Sequence, residues 1–146
     1  MSTAYVNCDK KGWISEKVYP MSDDPEELIA KIKAIPVSEI AAATPAIIGN
    51  YPNTYTYSKN IGERMLLRYR GDVPMCIVRP TIVGAAWRDP FPGWIDSIAA
   101  AGAFFLAAGL GLLQLGIGNL NNVGDQVPVD ITANVILVAA ADQANA

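Results

Sequence analysis

Residues 52–84 read PNTYTYSKNIGERMLLRYRGDVPMCIVRPTIVG. Pro52 marks a turn, and Asn53 or Thr54 is placed to cap a helix. Ile61, Met65, Leu66 and Tyr69 recur with helical spacing and predict one apolar face. Gly71 and Asp72 make a turn. Residues 75–78 are a short apolar run suited to a buried parallel strand, and Pro80 fixes the backbone at its exit. A helix feeding a buried strand is the repeating unit of an α/β protein.

Working outward, the upstream chain is helical in pattern. In SDDPEELIAKIKAI, Asp24 can cap, Pro25 suits the first helical position and Glu27 completes a capping box. Leu28, Ile29, Ile32 and Ile35 form its apolar stripe. PVSEIAAATPAIIGN predicts a second helix, bent or interrupted near Pro45 and stopped at Gly49-Asn50. The opening MSTAYVN looks like the end of a strand running into a loop. Downstream, VPVDITANVILVAAADQANA predicts a short strand, Asp130 as a cap, and an apolar helix.

The chain has 146 residues, 51% apolar and 17% charged, which excludes a disordered protein. A net charge of −3 without a basic stripe argues against nucleic acid as partner. There is no histidine, which removes the commonest general base and the commonest metal ligand; no metal is expected. Cys8 and Cys76 read as reduced thiols of an intracellular protein, and no signal peptide is visible. Cys8 is a spectator rather than a nucleophile, since no histidine can activate it. Residues 97–124 carry no charge and are long enough to span a bilayer, yet the five glycines of residues 98–118 and missing Lys/Arg flanks weaken that reading.

Tyr55 and Lys59 are four apart and share a helix face. An ammonium within about 4–6 Å of a phenol favours the phenolate and makes the phenol a better acid. Such a tyrosine can hand a proton to a carbonyl oxygen as hydride reaches carbon. On spacing alone a solvated Tyr-Lys pair is the ordinary reading. Context changes it. Ser2 and Thr3 stand at the expected strand end, where a hydroxyl can face a cleft outside the carboxyl ends of the strands. Gly84, after Pro80, allows close approach of a ligand.

The segments STAYVNC, PNTYTYSKNIGERML, VRPTIVGAAWRDPFPGWID and DQVPVDITANVI together resemble the fatty acyl-CoA reductases within the extended short-chain dehydrogenase/reductases. The resemblance runs from Ser2 to Ile136. It implies a Rossmann-like parallel sheet and an NADPH-dependent oxidoreductase that converts long-chain fatty acyl-CoA to an aldehyde and then to a fatty alcohol. It implies Tyr55 as the catalytic acid. Lys59 would sharpen that acidity and bond the nicotinamide ribose. Thr3, with Ser2 as second choice, would be the hydroxyl on the substrate oxygen. Pro80, Thr81, Ile82 and Val83 would line the nicotinamide side of the pocket. Under the resemblance, residues 97–124 form an apolar wall for the acyl chain. The lysine that the family often carries between two glycines is Leu110 here, which puts a cationic contact to CoA in doubt. A peroxisomal or endoplasmic reticulum membrane is the implied location, through C-terminal helices or residues 97–124.

Duller roles are expected elsewhere. Trp87 and Trp94 pack. Arg88 pairs with Asp89 or Asp96 at the rim, and Glu63 and Arg64 are solvent pairs. The family's Gly-x-x-Gly-Phe-x-Gly turn, which receives the pyrophosphate at a helix N-terminus, occurs nowhere in the sequence. The expectation is therefore a single partial domain over 1–146, the C-terminal part of a Rossmann-like reductase with its N-terminal dinucleotide-binding half missing. Alone it would be poorly soluble and without turnover. Two alternatives stand beside this: another extended reductase or epimerase acting on a thioester or nucleotide sugar, and a non-enzymatic small membrane protein built on residues 97–124.

Overall fold

A computed structural model of the chain describes residues 1–20, 23–98, 101–116, 118–119 and 121–144. It divides into two compact units, Ser2–Arg79 and Met1 with Pro80–Ala146.

The first unit is helical. A 3-10 turn (Ala4–Asn7) is followed by α1 (Pro25–Lys33), α2 (Val37–Ile48) and α3 (Thr54–Tyr69). The caps follow local chemistry. Asp24 accepts from the Glu26 and Glu27 backbone N–H groups at 2.9 and 3.4 Å, with Pro25 in the first turn. Asn53 caps α3 by accepting from Thr56 N at 2.9 Å. α2 runs unbroken through Pro45, because one missing N–H removes only one ladder bond. Gly49, at φ 55°, ends it.

Two expectations fail in this unit. The face of α3 that is buried is not Ile61, Met65, Leu66 and Tyr69. Ile61 is buried, but Leu66 and Tyr69 are 59% and 60% exposed. The covered face is largely polar, with Thr56, Asn60 and Glu63 beside Tyr57 and Ile61. Partners supplied from distant parts of the chain satisfy those groups, which lets polar residues take core positions. Residues 75–78 also form no ladder among the described residues. The link there is Ser2 N donating to Val78 O at 2.8 Å, after which the chain turns at Ala4 instead of continuing as a strand. A strand exists only where a neighbour accepts and donates along its length.

The second unit contains β1 (Ile82–Gly84), α4 (Ala101–Gly109), β2 (Gln126–Pro128) and α5 (Val129–Ala144). The strands pair in parallel, Ile82 with Gln126, Val83 with Val127 and Gly84 with Pro128. The chain is thus a small α/β protein with a two-stranded parallel sheet. Its strand lies just after Pro80 rather than before it. α4 has nine residues, about 14 Å of helix against a hydrocarbon core of about 30 Å. Among the described residues no helix is long and apolar enough to cross a membrane.

Candidate active site

The Tyr-Lys pair stands on the first two turns of α3. Tyr55 is 54% exposed. The Lys59 ammonium lies 5.7 Å from the Tyr55 ring centroid, over its face. That is a cation–π geometry. Lys59 makes no ion pair within 4.0 Å among the described residues. Its donors are open.

Ser2 and Thr3 belong to the same unit and are buried, at 7% and 4% exposure. Thr3 is extended and caps the 3-10 turn, its Oγ1 accepting from Tyr5 N at 3.3 Å. Its hydroxyl hydrogen is left to donate elsewhere. The Ser2 hydroxyl makes no full hydrogen bond, yet it is near enough to Glu63 to favour that carboxylate's charged form. Thr3 and Ser2 therefore differ in surroundings: one anchors a turn, the other sits by a buried anion.

Asn60, which sequence reasoning passed over, joins the two halves of this constellation. Its Nδ2 donates to Val6 O at 3.1 Å and to Asn7 Oδ1 at 3.3 Å. Its Oδ1 accepts from Arg64 Nε at 2.7 Å. Asn60 follows Lys59 directly, so the turn that Thr3 caps is tied to the helix that carries Tyr55. A polar residue in mid-helix gave no sign of this, since Val6 and Asn7, the partners of its Nδ2, lie more than fifty positions away.

Glu63 and Arg64 are not solvent pairs. Glu63 is 3% exposed and receives Arg79 through Nε at 2.8 Å and Nη2 at 2.5 Å. Arg79 also donates to Lys17 O at 3.1 Å. Burial pushes the Glu63 carboxyl up, but the Arg79 hydrogen bonds and charge, with Ser2, outweigh it and hold the group below its usual value. Burial, by contrast, raises Tyr57 and Tyr51 above the ordinary phenol range, with Asp23 and Asp9 adding to the rise. Neither is placed to act as an acid.

Pro80, Thr81, Ile82 and Val83 lie in the second unit, all half-buried, with Ile82 and Val83 in β1. Gly84 pairs with Pro128, and a Cβ there would meet Gln126 Oε1 at 3.6 Å, an ordinary contact. Asp130 sits in the first turn of α5, where its carboxylate holds a loop. It accepts from Trp87 N and Arg88 N at 2.9 Å and from Asp89 N at 3.3 Å. These backbone hydrogen bonds, Trp87 foremost, outweigh desolvation and lower the carboxyl to about 2. The loop closes on itself through Ala86 N to Trp94 O and Gly93 N to Ala86 O, both 2.8 Å. Arg88 lies over the Trp87 ring at 5.4 Å and makes none of the ion pairs expected with Asp89 or Asp96 among the described residues.

Residues 1–136 match the NAD-binding family described as male sterility protein. Fatty acyl-CoA reductase 1 of Xenopus laevis is 44% identical over 140 residues, 96% of this chain and 27% of that protein. Fatty acyl-CoA reductase 1 of Homo sapiens is 41% identical over the same extent. Fatty acyl-CoA reductase 2 of Mus musculus is 38% identical over 137 residues, 94% of this chain and 26% of that protein. The chain spans about a quarter of the length of these relatives. It belongs to the NAD-binding male sterility protein family, as a partial match to the fatty acyl-CoA reductases.

Proposed function

We propose that this chain is the proton-donating and acyl-binding part of an NADPH-dependent reductase that turns long-chain fatty acyl-CoA into a fatty alcohol by way of the aldehyde. It would be the C-terminal part of a Rossmann-like domain whose pyrophosphate-binding turn lies outside these residues. The observation that carries the reading is the open Tyr55-Lys59 pair. Asn60 and Glu63 of α3 are held in buried partnerships, while Tyr55 is exposed and the half-buried Lys59 lies over its ring without an ion pair among the described residues.

Lys59 makes no ion pair among the described residues and suits ribose hydroxyls; by family resemblance Pro80, Thr81, Ile82 and Val83 would line the nicotinamide side of the pocket. Bound NADPH supplies the hydride in each reduction. Tyr55 supplies the matching proton: its Oη donates to the oxygen of the aldehyde as that oxygen gains charge, giving the alcohol. In the first reduction CoA leaves as the thiol, with a proton drawn from the same donor. The Lys59 charge compensates the phenolate left behind. Thr3, or Ser2 in second place, would hold the carbonyl oxygen in line. A peroxisomal or endoplasmic reticulum membrane location rests on family resemblance.

Tyr55→Phe in the protein at its natural length tests the proposal, with alcohol formation from palmitoyl-CoA and NADPH as readout. The expected loss is about 100-fold or more, with an unchanged circular dichroism spectrum. Undiminished output overturns it.

A further inference from the structure

The first unit holds an apolar cleft that none of the expected site residues occupies. Its volume is about 450 Å³, within the range of small-molecule sites. Ile29 and Ile32 of α1, Ile40 and Ile47 of α2, and Ile61 and Met65 of α3 supply half of the lining residues. Two of its few hydroxyls are turned into backbone. Thr44 Oγ1 donates to Ile40 O at 2.7 Å, and Ser58 Oγ donates to Tyr55 O at 2.9 Å. These two are accounted for by neighbouring carbonyls, and seven of the twelve lining residues are isoleucine or methionine, so a hydrocarbon suits the wall.

The cleft is placed by helix periodicity beside the reactive pair. Thr54, Ser58, Ile61 and Met65 line it and form one stripe of α3, at i, i+4, i+7 and i+11. Tyr55, Lys59 and Gly62 form the next stripe, one residue round. Gly62 belongs to both, since it also lines the cleft, and nothing lies within 4 Å of where its Cβ would stand. The distance from Tyr55 to Gly62 along the axis is about 10 Å. A chain whose reacting carbon sat at Tyr55 could run down the second stripe and enter the cleft over Gly62.

We infer that the α1–α2–α3 cleft receives the alkyl chain of the acyl thioester, and that Gly62 is its doorway. This rests on the reductase reading and replaces residues 97–124 as the acyl wall. The test uses the protein at its natural length and a palmitoyl-CoA analogue carrying a diazirine near the end of its alkyl chain. Photolysis is expected to label peptides of α1, α2 and the cleft stripe of α3, with labelling suppressed by unmodified palmitoyl-CoA. Gly62→Leu has open space for its side chain and should fold. It is expected to raise KM for palmitoyl-CoA about tenfold. Turnover with labelling confined to another segment, or an unchanged palmitoyl-CoA KM in Gly62→Leu, overturns the subsite alone. Absence of both turnover and labelling with acyl-CoA overturns the reductase reading and the subsite with it.

Discussion

Tyr55 and Lys59 act, in the proposed proton transfer, as one unit, because in that step the ammonium works through the charge it places beside the phenol. Groups that act as a unit give non-additive losses. Lys59→Met is therefore expected to lower turnover about 100-fold, and the double variant Tyr55→Phe/Lys59→Met to be no worse than Tyr55→Phe alone. Steady-state kinetics of the three variants check this; additive losses would separate the two roles. Glu63 and Arg79 work at the same scale but for stability. A carboxyl held below its usual value stabilises the fold above the unfolded value of about 4.3 and loses that contribution as pH falls through the lowered one. Arg79→Met leaves the buried Glu63 charge without its partner. The expected cost is about 3 kcal/mol at neutral pH, measured by urea denaturation, and the gap to the parent should shrink below about pH 4.

Among the elements, α3 combines three faces that the residue pattern does not separate. One carries the open Tyr-Lys pair, one lines the apolar cleft, and one is buried in polar partnerships through Thr56, Asn60 and Glu63. The loop from Ala86 to Trp94 shows how a helix start can organise a neighbour. Asp130 offers two oxygens to three consecutive N–H groups, a charge-assisted arrangement that a neutral amide only partly reproduces. Asp130→Asn is expected to speed hydrogen exchange at the amides of residues 87–89 several-fold while leaving α5 protected. Because the folded carboxyl titrates at about 2, the loop's grip is present above the ordinary carboxylate range and is lost only as pH falls through about 2. Exchange at these amides that is the same in parent and variant at neutral pH would contradict this.

At the scale of the molecule, large apolar side chains stand open in both units. Trp13 is 93% exposed, Val37 91%, Leu115 90% and Val123 87%. Apolar surface of this kind drives association. A preparation of the 146-residue chain is expected to self-associate at micromolar concentration, read by light scattering, and to bind a hydrophobic dye. A monodisperse monomer without dye binding would contradict this.

Sequence alone determined what is local. The caps at Asp24 and Asn53, the stop at Gly49 and the shared face of Tyr55 and Lys59 all follow from interactions within a few residues, and each is present. The family was legible too, because its segments lie in order along the chain. Tertiary structure decided what depends on partners far away. Glu63 became a buried anion because Arg79 reaches it across 16 positions. Asp130 became a loop anchor instead of a cap because backbone more than 40 positions earlier lies against it. The run at 75–78 did not become a strand because pairing needs a neighbour that composition cannot specify. The cleft exists because stripes of three separate helices face one space, and no single helix carries that information.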